Sequence, residues 1–146
     1  MNVMAEAAPV RSGRVAAGLV YTLRILVTAH AVAIIVAASF AGQALVYDDN
    51  FTIVPDGARA ETHVMIGLVA HVIGLLQLLA AILLWRPGRG AGWPALASLG
   101  LLLLGIAQHF LLMIGLGAHV PNGVALFGLT VIMLVWVWSP RAAMRR

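Results

Sequence analysis

Apolar residues in this chain come in long blocks separated by short polar breaks, without the close alternation of a strand-rich fold. The first block predicts a helix from Val15 to about Tyr47, interrupted only by Arg24. Its unbroken part, Ile25–Val46, has 22 residues, about 33 Å of helix at about 1.5 Å per residue. Triplets of the A-x-A kind near Ala41–Ala44 would suit a signal-peptide cleavage site. The apolar run is far longer than a signal core of about 7–15 residues, so a retained helix is expected.

A polar loop follows from Asp48-Asp49-Asn50 to Glu61, with Pro55-Asp56-Gly57 as its turn signal. Thr62 is the expected N-cap of a second helix, from His63 to Trp85. Arg86-Pro87-Gly88-Arg89-Gly90 forms a compact turn, and Pro94 suits the first turn of a third helix, from about Trp93 to Leu116. Gly115, Gly117, Asn122 and Gly123 mark a tight connection, and Pro121 opens a fourth helix that Ser139-Pro140 stops after Trp138. Short connections make neighbouring helices antiparallel. The predicted fold is therefore all-α, an up-and-down four-helix bundle over residues 15–138. A mobile leader over residues 1–14 precedes it, and a basic tail over residues 139–146 follows.

Composition turns the bundle into a membrane protein. Hydrophobic residues make up 62% of the chain and charged residues 10%, and the mean hydropathy is +1.01. The 51 residues from Gly90 to Pro140 contain no Lys, Arg, Asp or Glu. So few charged groups would not cover a soluble domain, and a multi-pass protein of the cell membrane is expected. With no cysteine, a disulfide framework, a thiolate metal site, an Fe–S cluster and covalent c-type haem are all excluded. The +4 net charge comes from nine arginines clustered beside apolar segments, not from a nucleic-acid footprint.

Those arginines predict an orientation. Arg11, Arg14 and Arg24 flank the first helix, Arg86 and Arg89 fill the second connection, and Arg141, Arg145 and Arg146 close the chain. With four helices these regions share one side, and only Arg59 lies opposite, so both termini are expected to face the cytoplasm. Arg24 is expected to snorkel to the interface, where Trp85, Trp93, Trp136 and Trp138 would form an aromatic belt.

Candidate chemistry rests on the histidines. His63 and His119 open the second and fourth helices on the outer side, at one level. His71 lies eight residues below His63, roughly 12 Å deeper, and His109 falls at a similar depth on the third helix. His30, in the cytoplasmic half of the first helix, has no such partner and reads as a structural or proton-relay residue. Ionisable groups in a membrane core face the bundle interior, and imidazoles there are haem ligands or are hydrogen-bonded to neighbours such as Gln77 and Gln108. Only Glu61 lies near a histidine, which argues against a di-metal carboxylate site. Gly67, Gly74, Gly100, Gly105, Gly123 and Gly128 suit either close helix contact or close approach to a flat macrocycle.

Phe40-Ala41-Gly42-Gln43, Glu61-Thr62-His63, Gln108 and Ala118-His119-Val120-Pro121 occur in an order that resembles one half of a haem A synthase-type membrane protein. The resemblance spans about residues 40–133. It implies a four-helix bundle in which His63 and His119 ligate a haem near the outer face. The chain departs from that pattern in having one four-helix unit and no cysteine pair in the outer loop. Glu61 stands two residues before His63 where the family has three, and Val64 replaces the usual Arg. These departures argue against haem A synthesis and leave b-type haem. The deeper pair, His71 and His109, more loosely resembles the layered haem sites of cytochrome b561-like bundles.

The expected function is thus haem b binding in electron transfer or redox and haem handling, with His63 and His119 as axial ligands to the iron. A second cofactor site would lie at His71 and His109, and a quinone or membrane oxidoreductase would be the partner, with homo-oligomerisation open. Two other classes remain: a cofactor-free accessory or interaction subunit, and a histidine-dependent proton-coupled transporter. The transporter would lack the intramembrane carboxylate and inverted repeat common in that class. Nothing resembles a Ser–His–acid triad, a phosphate loop or a zinc signature, which sets aside hydrolytic and nucleotide chemistry.

Overall fold

A computed structural model describes residues 13–50 and 52–145. Four helices dominate it: α1 (Ala17–Gln43), α2 (Gly57–Trp85), α3 (Trp93–Ile114) and α4 (Leu116–Trp138). Each is long and apolar enough to cross a membrane. The principal contacts run α1–α2, α2–α3, α3–α4 and α4–α1. Helices adjacent in sequence are therefore neighbours, and α2 faces α4 across the bundle's diagonal. The expected leader lies, apart from residues 13 and 14, outside the described residues.

The element boundaries depart from the sequence expectation in three places. The first helix stops at Gln43, and Leu45–Tyr47 (β1) pairs antiparallel with Ile53–Pro55 (β2). Asp48 closes that hairpin by accepting from the backbone N–H of Asn50 and Thr52 at 2.9 and 2.7 Å, an Asx turn that competes with further helix. The second helix starts at Gly57, six residues before His63, because Asp56 is its N-cap and accepts from the Arg59 N–H at 3.1 Å. Thr62 instead returns its hydroxyl to the Ala58 carbonyl inside that helix. The fourth helix starts at Leu116, so Pro121 lies inside it rather than opening it. Gly115 is at once the C-cap of one helix and the N-cap of the next, at φ +127°, which an L side chain rarely adopts.

Inward positions recur at alternating steps of four and three residues, the seam of a left-handed bundle. On α2 this seam runs through Ala70, Gly74, Gln77, Ala81 and Leu84, all buried. On α4 it runs through Leu126, Thr130, Met133 and Val137, also buried. Leu23 and Val27 of α1 and Leu101 of α3 complete an aliphatic core in the half of the bundle that carries the termini. That end is closed by an antiparallel bridge between Arg14 and Met144 and by a short 3-10 turn over Pro140–Ala143, whose Ala142 is buried. Toward the β1–β2 hairpin buried side chains become few, Ala37 of α1 and Ala44 among them. Among the described residues, α2 buries nothing before Ala70, α3 nothing after Gly105 and α4 nothing before Leu126. Large apolar side chains such as Ile25, Leu68, Leu75, Leu103 and Val135 cover the outside.

Candidate cofactor site

Extending the two seams toward the hairpin leads to the histidines. Three residues back from Ala70 comes Gly67 and four further back His63 on α2; the same steps back from Leu126 on α4 give Gly123 and His119. The two rings meet across the diagonal with centroids 6.1 Å apart and planes at 70°. Metal–imidazole bonds of about 2.0–2.1 Å would put the centroids of two opposed rings about 6.3 Å apart. The observed centroid spacing of 6.1 Å is close to that distance.

Each ring is held by its Nδ1. His63 Nδ1 lies 2.8 Å from the Ala37 carbonyl of α1, and His119 Nδ1 lies 3.1 Å from the Gln108 carbonyl of α3. A carbonyl oxygen only accepts, so both Nδ1 atoms carry the proton and both Nε2 atoms of the neutral rings keep their lone pairs. This is the tautomer a metal-ligating histidine needs, with the orienting bond supplied by the main chain.

Gln108 grips the α4 histidine twice. Besides its main-chain carbonyl, its amide, oriented to satisfy its neighbours, donates to the His119 carbonyl at 2.9 Å and accepts from Gly123 N–H at 3.3 Å. A Cβ on Gly123 would lie 3.0 Å from that amide, tighter than ordinary contact, so the Gln108 side chain would have to give way. Asn122 donates to the Leu104 carbonyl at 2.9 Å and ties the same turn to α3. On α2 the equivalent glycine, Gly67, has open space around its Cβ position.

The deeper pair is built differently. His71 and His109 also touch, with centroids 5.1 Å apart and planes at 32°. Both stand one residue off the seams, and His109 is exposed on the outside of α3, not deep in the interior. His71 Nδ1 donates to the Gly67 carbonyl at 2.6 Å, and its Nε2 is buried without a partner. A Cβ on Gly105 would approach that Nε2 to 3.1 Å. Neither glutamine serves this pair. Gln77 is engaged by His30, and Gln108 by His119.

His30 occupies the middle of α1 and is buried, with Nδ1 2.9 Å from Gln77 Oε1. Gln77 donates to Ser98 Oγ at 3.0 Å and lies 3.6 Å from Met133 Sδ. This network joins all four helices at mid-bundle, and Gly74 leaves room for the imidazole, since a Cβ there would lie 3.2 Å from its Cε1. Sequence reasoning left His30 without a partner. The four-three spacing from Ala70 to Leu84, with Gln77 inside it, was the signal that marks Gln77 as inward.

Among the described residues no three His, Asp or Glu side chains converge on one point. Two opposed imidazoles alone complete the shell only of a metal that arrives with its other ligands already attached. No family model, curated protein or solved structure matches the chain.

Proposed function

We propose that this chain is a multi-pass membrane protein that holds one b-type haem between α2 and α4, with His63 and His119 as axial ligands. The observation that carries the reading is the pair of seam histidines from α2 and α4, ring centroids 6.1 Å apart, each with its Nδ1 on a backbone carbonyl. The donor set fits a tetrapyrrole, whose four nitrogens would supply the equatorial ligands that the protein lacks. Among the described residues on the hairpin side of Ala70 and Leu126, neither α2 nor α4 has a fully buried one, and Gly67 leaves open space one turn from His63, where a flat cofactor would lie. The 5.1 Å spacing of His71 and His109 is too short for a metal between them, so the proposal is confined to the first pair.

Bound there, haem would exchange single electrons, and the function is electron transfer or redox and haem handling with a quinone or a membrane oxidoreductase as partner. The chain's own part is to fix two imidazoles by main-chain bonds and to exclude water with an apolar exterior. By the distribution of arginines both termini lie on the cytoplasmic side, which sets the histidine pair toward the opposite face.

The test is an absorption spectrum of detergent-purified protein from haem-replete cells, before and after reduction. A Soret band that sharpens on reduction is expected, and it should be lost or shifted in His63→Ala and in His119→Ala. Colourless protein, or a spectrum indifferent to both substitutions, would overturn the reading in favour of a cofactor-free accessory subunit.

A further inference from the structure

The end of the bundle that carries the termini holds a feature independent of the histidines. Arg24 projects from α1 seven residues after its start, about 10 Å along the helix. Three neighbours fix its guanidinium. Nε donates to the Val137 carbonyl at 2.9 Å, and Cζ lies 5.1 Å from the ring centroids of both Tyr21 and Trp138. Trp138 is itself held by a bond from its Nε1 to Thr28 Oγ1 at 3.2 Å. The Val137 carbonyl belongs to the last turn of α4, which lacks intrahelical donors and favours a cation. These contacts use one of the five guanidinium N–H groups, and neither Nη donates to a described residue.

Arg24 shares a cleft of about 420 Å³ with Arg14, and Tyr21, Val20 and Ala17 supply its apolar wall. The Arg14 backbone is pinned beside it, because Val15 N donates to the Ala143 carbonyl and Arg145 N to the Gly13 carbonyl, each at 3.0 Å. Two arginines therefore line one cleft, Arg24 half-buried and Arg14 exposed at its rim. The described carboxylates, Asp48, Asp49, Asp56 and Glu61, are all at the opposite end of the bundle. Among the described residues no carboxylate stands beside the two arginines, and the planar donor fork of arginine matches the oxygens of a phosphate.

We propose that this cleft binds a phosphate group between Arg14 and Arg24, carried by an anionic phospholipid or free as inorganic phosphate. Arg24, preset by its stack and its bond to α4, presents its Nη groups to the phosphate oxygens. Arg14 closes the charge from the cleft's exposed rim.

Thermal unfolding of the full chain in neutral detergent, followed by tryptophan fluorescence, tests the assignment. Phosphatidylglycerol, phosphatidylcholine and inorganic phosphate are titrated separately. A saturable rise in Tm with phosphatidylglycerol and not with phosphatidylcholine is expected for a headgroup, and a rise with inorganic phosphate as well assigns a free-anion site. Arg14→Gln and Arg24→Gln should each weaken the apparent affinity by about tenfold, the loss of one charge-assisted bond. Arg24→Gln also removes the bond to Val137 and so risks the fold. Arg14→Gln removes only an exposed charge and decides the matter alone. No saturable rise with either phosphate source, or an unchanged response in Arg14→Gln, overturns the proposal.

Discussion

The two halves of the bundle are made from the same helices and the same seam spacing, yet they are filled with different material. In the half that carries the termini, the seam positions hold Leu23, Val27, Leu84, Leu101, Met133 and Val137, all essentially without exposure. In the half next to the hairpin, the same positions hold His63, Gly67, Gln108, His119 and Gly123. Close packing of aliphatic side chains is what gives one half its stability. In the other half His63, Gln108 and His119 are each fixed by main-chain partners, so the order of the histidine pair comes from hydrogen bonds, while His71 Nε2 stays buried without a partner. The His30–Gln77–Ser98 network marks the border between the two regimes.

That contrast can be broken first where the effect is largest. Leu84→Ala empties a fully buried position in the filled half and is expected to cost about 2–5 kcal/mol, measured by reversible unfolding in mixed micelles. A cost under about 1 kcal/mol there would mean that this half is not close-packed either. Gln108→Ala removes one amide from the hairpin half and should lower stability by only about 0.5–1.5 kcal/mol. Its larger effect should be spectral, through looser placement of His119, and an unchanged reduced-minus-oxidised spectrum would count against its orienting role. The smallest effect should carry the opposite sign. A Cβ at Gly67 meets nothing within 4 Å, so Gly67→Ala is expected to stabilise cofactor-free protein by about 0.5–1 kcal/mol through helix propensity. The same change should weaken haem uptake. Destabilisation of the cofactor-free form would show that this space is already occupied.

Much of this organisation was legible in the pattern of residues. Four apolar segments are four helices, and α3 begins at Trp93 where Pro94 placed it. The hairpin strands were not legible, because three apolar residues after a long apolar helix look like its continuation. The start of α2 was misplaced because the polar stretch from Arg59 to Glu61 suggested loop, although a helix turn outside the apolar core accepts charge freely. Asp56, next to Pro55, was the better cap. Counting residues along each helix brought His63 to His119 and His71 to His109. It did not tell the pairs apart, because rotation about a helix axis decides which side chain is inward and a one-residue offset changes it by about 100°. His63 lies on the buried seam, whereas His71 follows Ala70 just off it.

The joint between α3 and α4 is one residue, Gly115, and this has a consequence for how the protein tolerates change in length. An extra residue between His119 and Leu126 would turn the imidazole by about 100° relative to the α4 seam and carry it off the inward face, with only a one-residue joint before it to absorb the change. The turn between β1 and β2, by contrast, stands outside the helices and transmits no rotation to them. Epitopes, fusions and natural length variation are therefore admissible around Asp49. The segment from Gln108 to Gly123, with both of its histidines, is fixed to the residue.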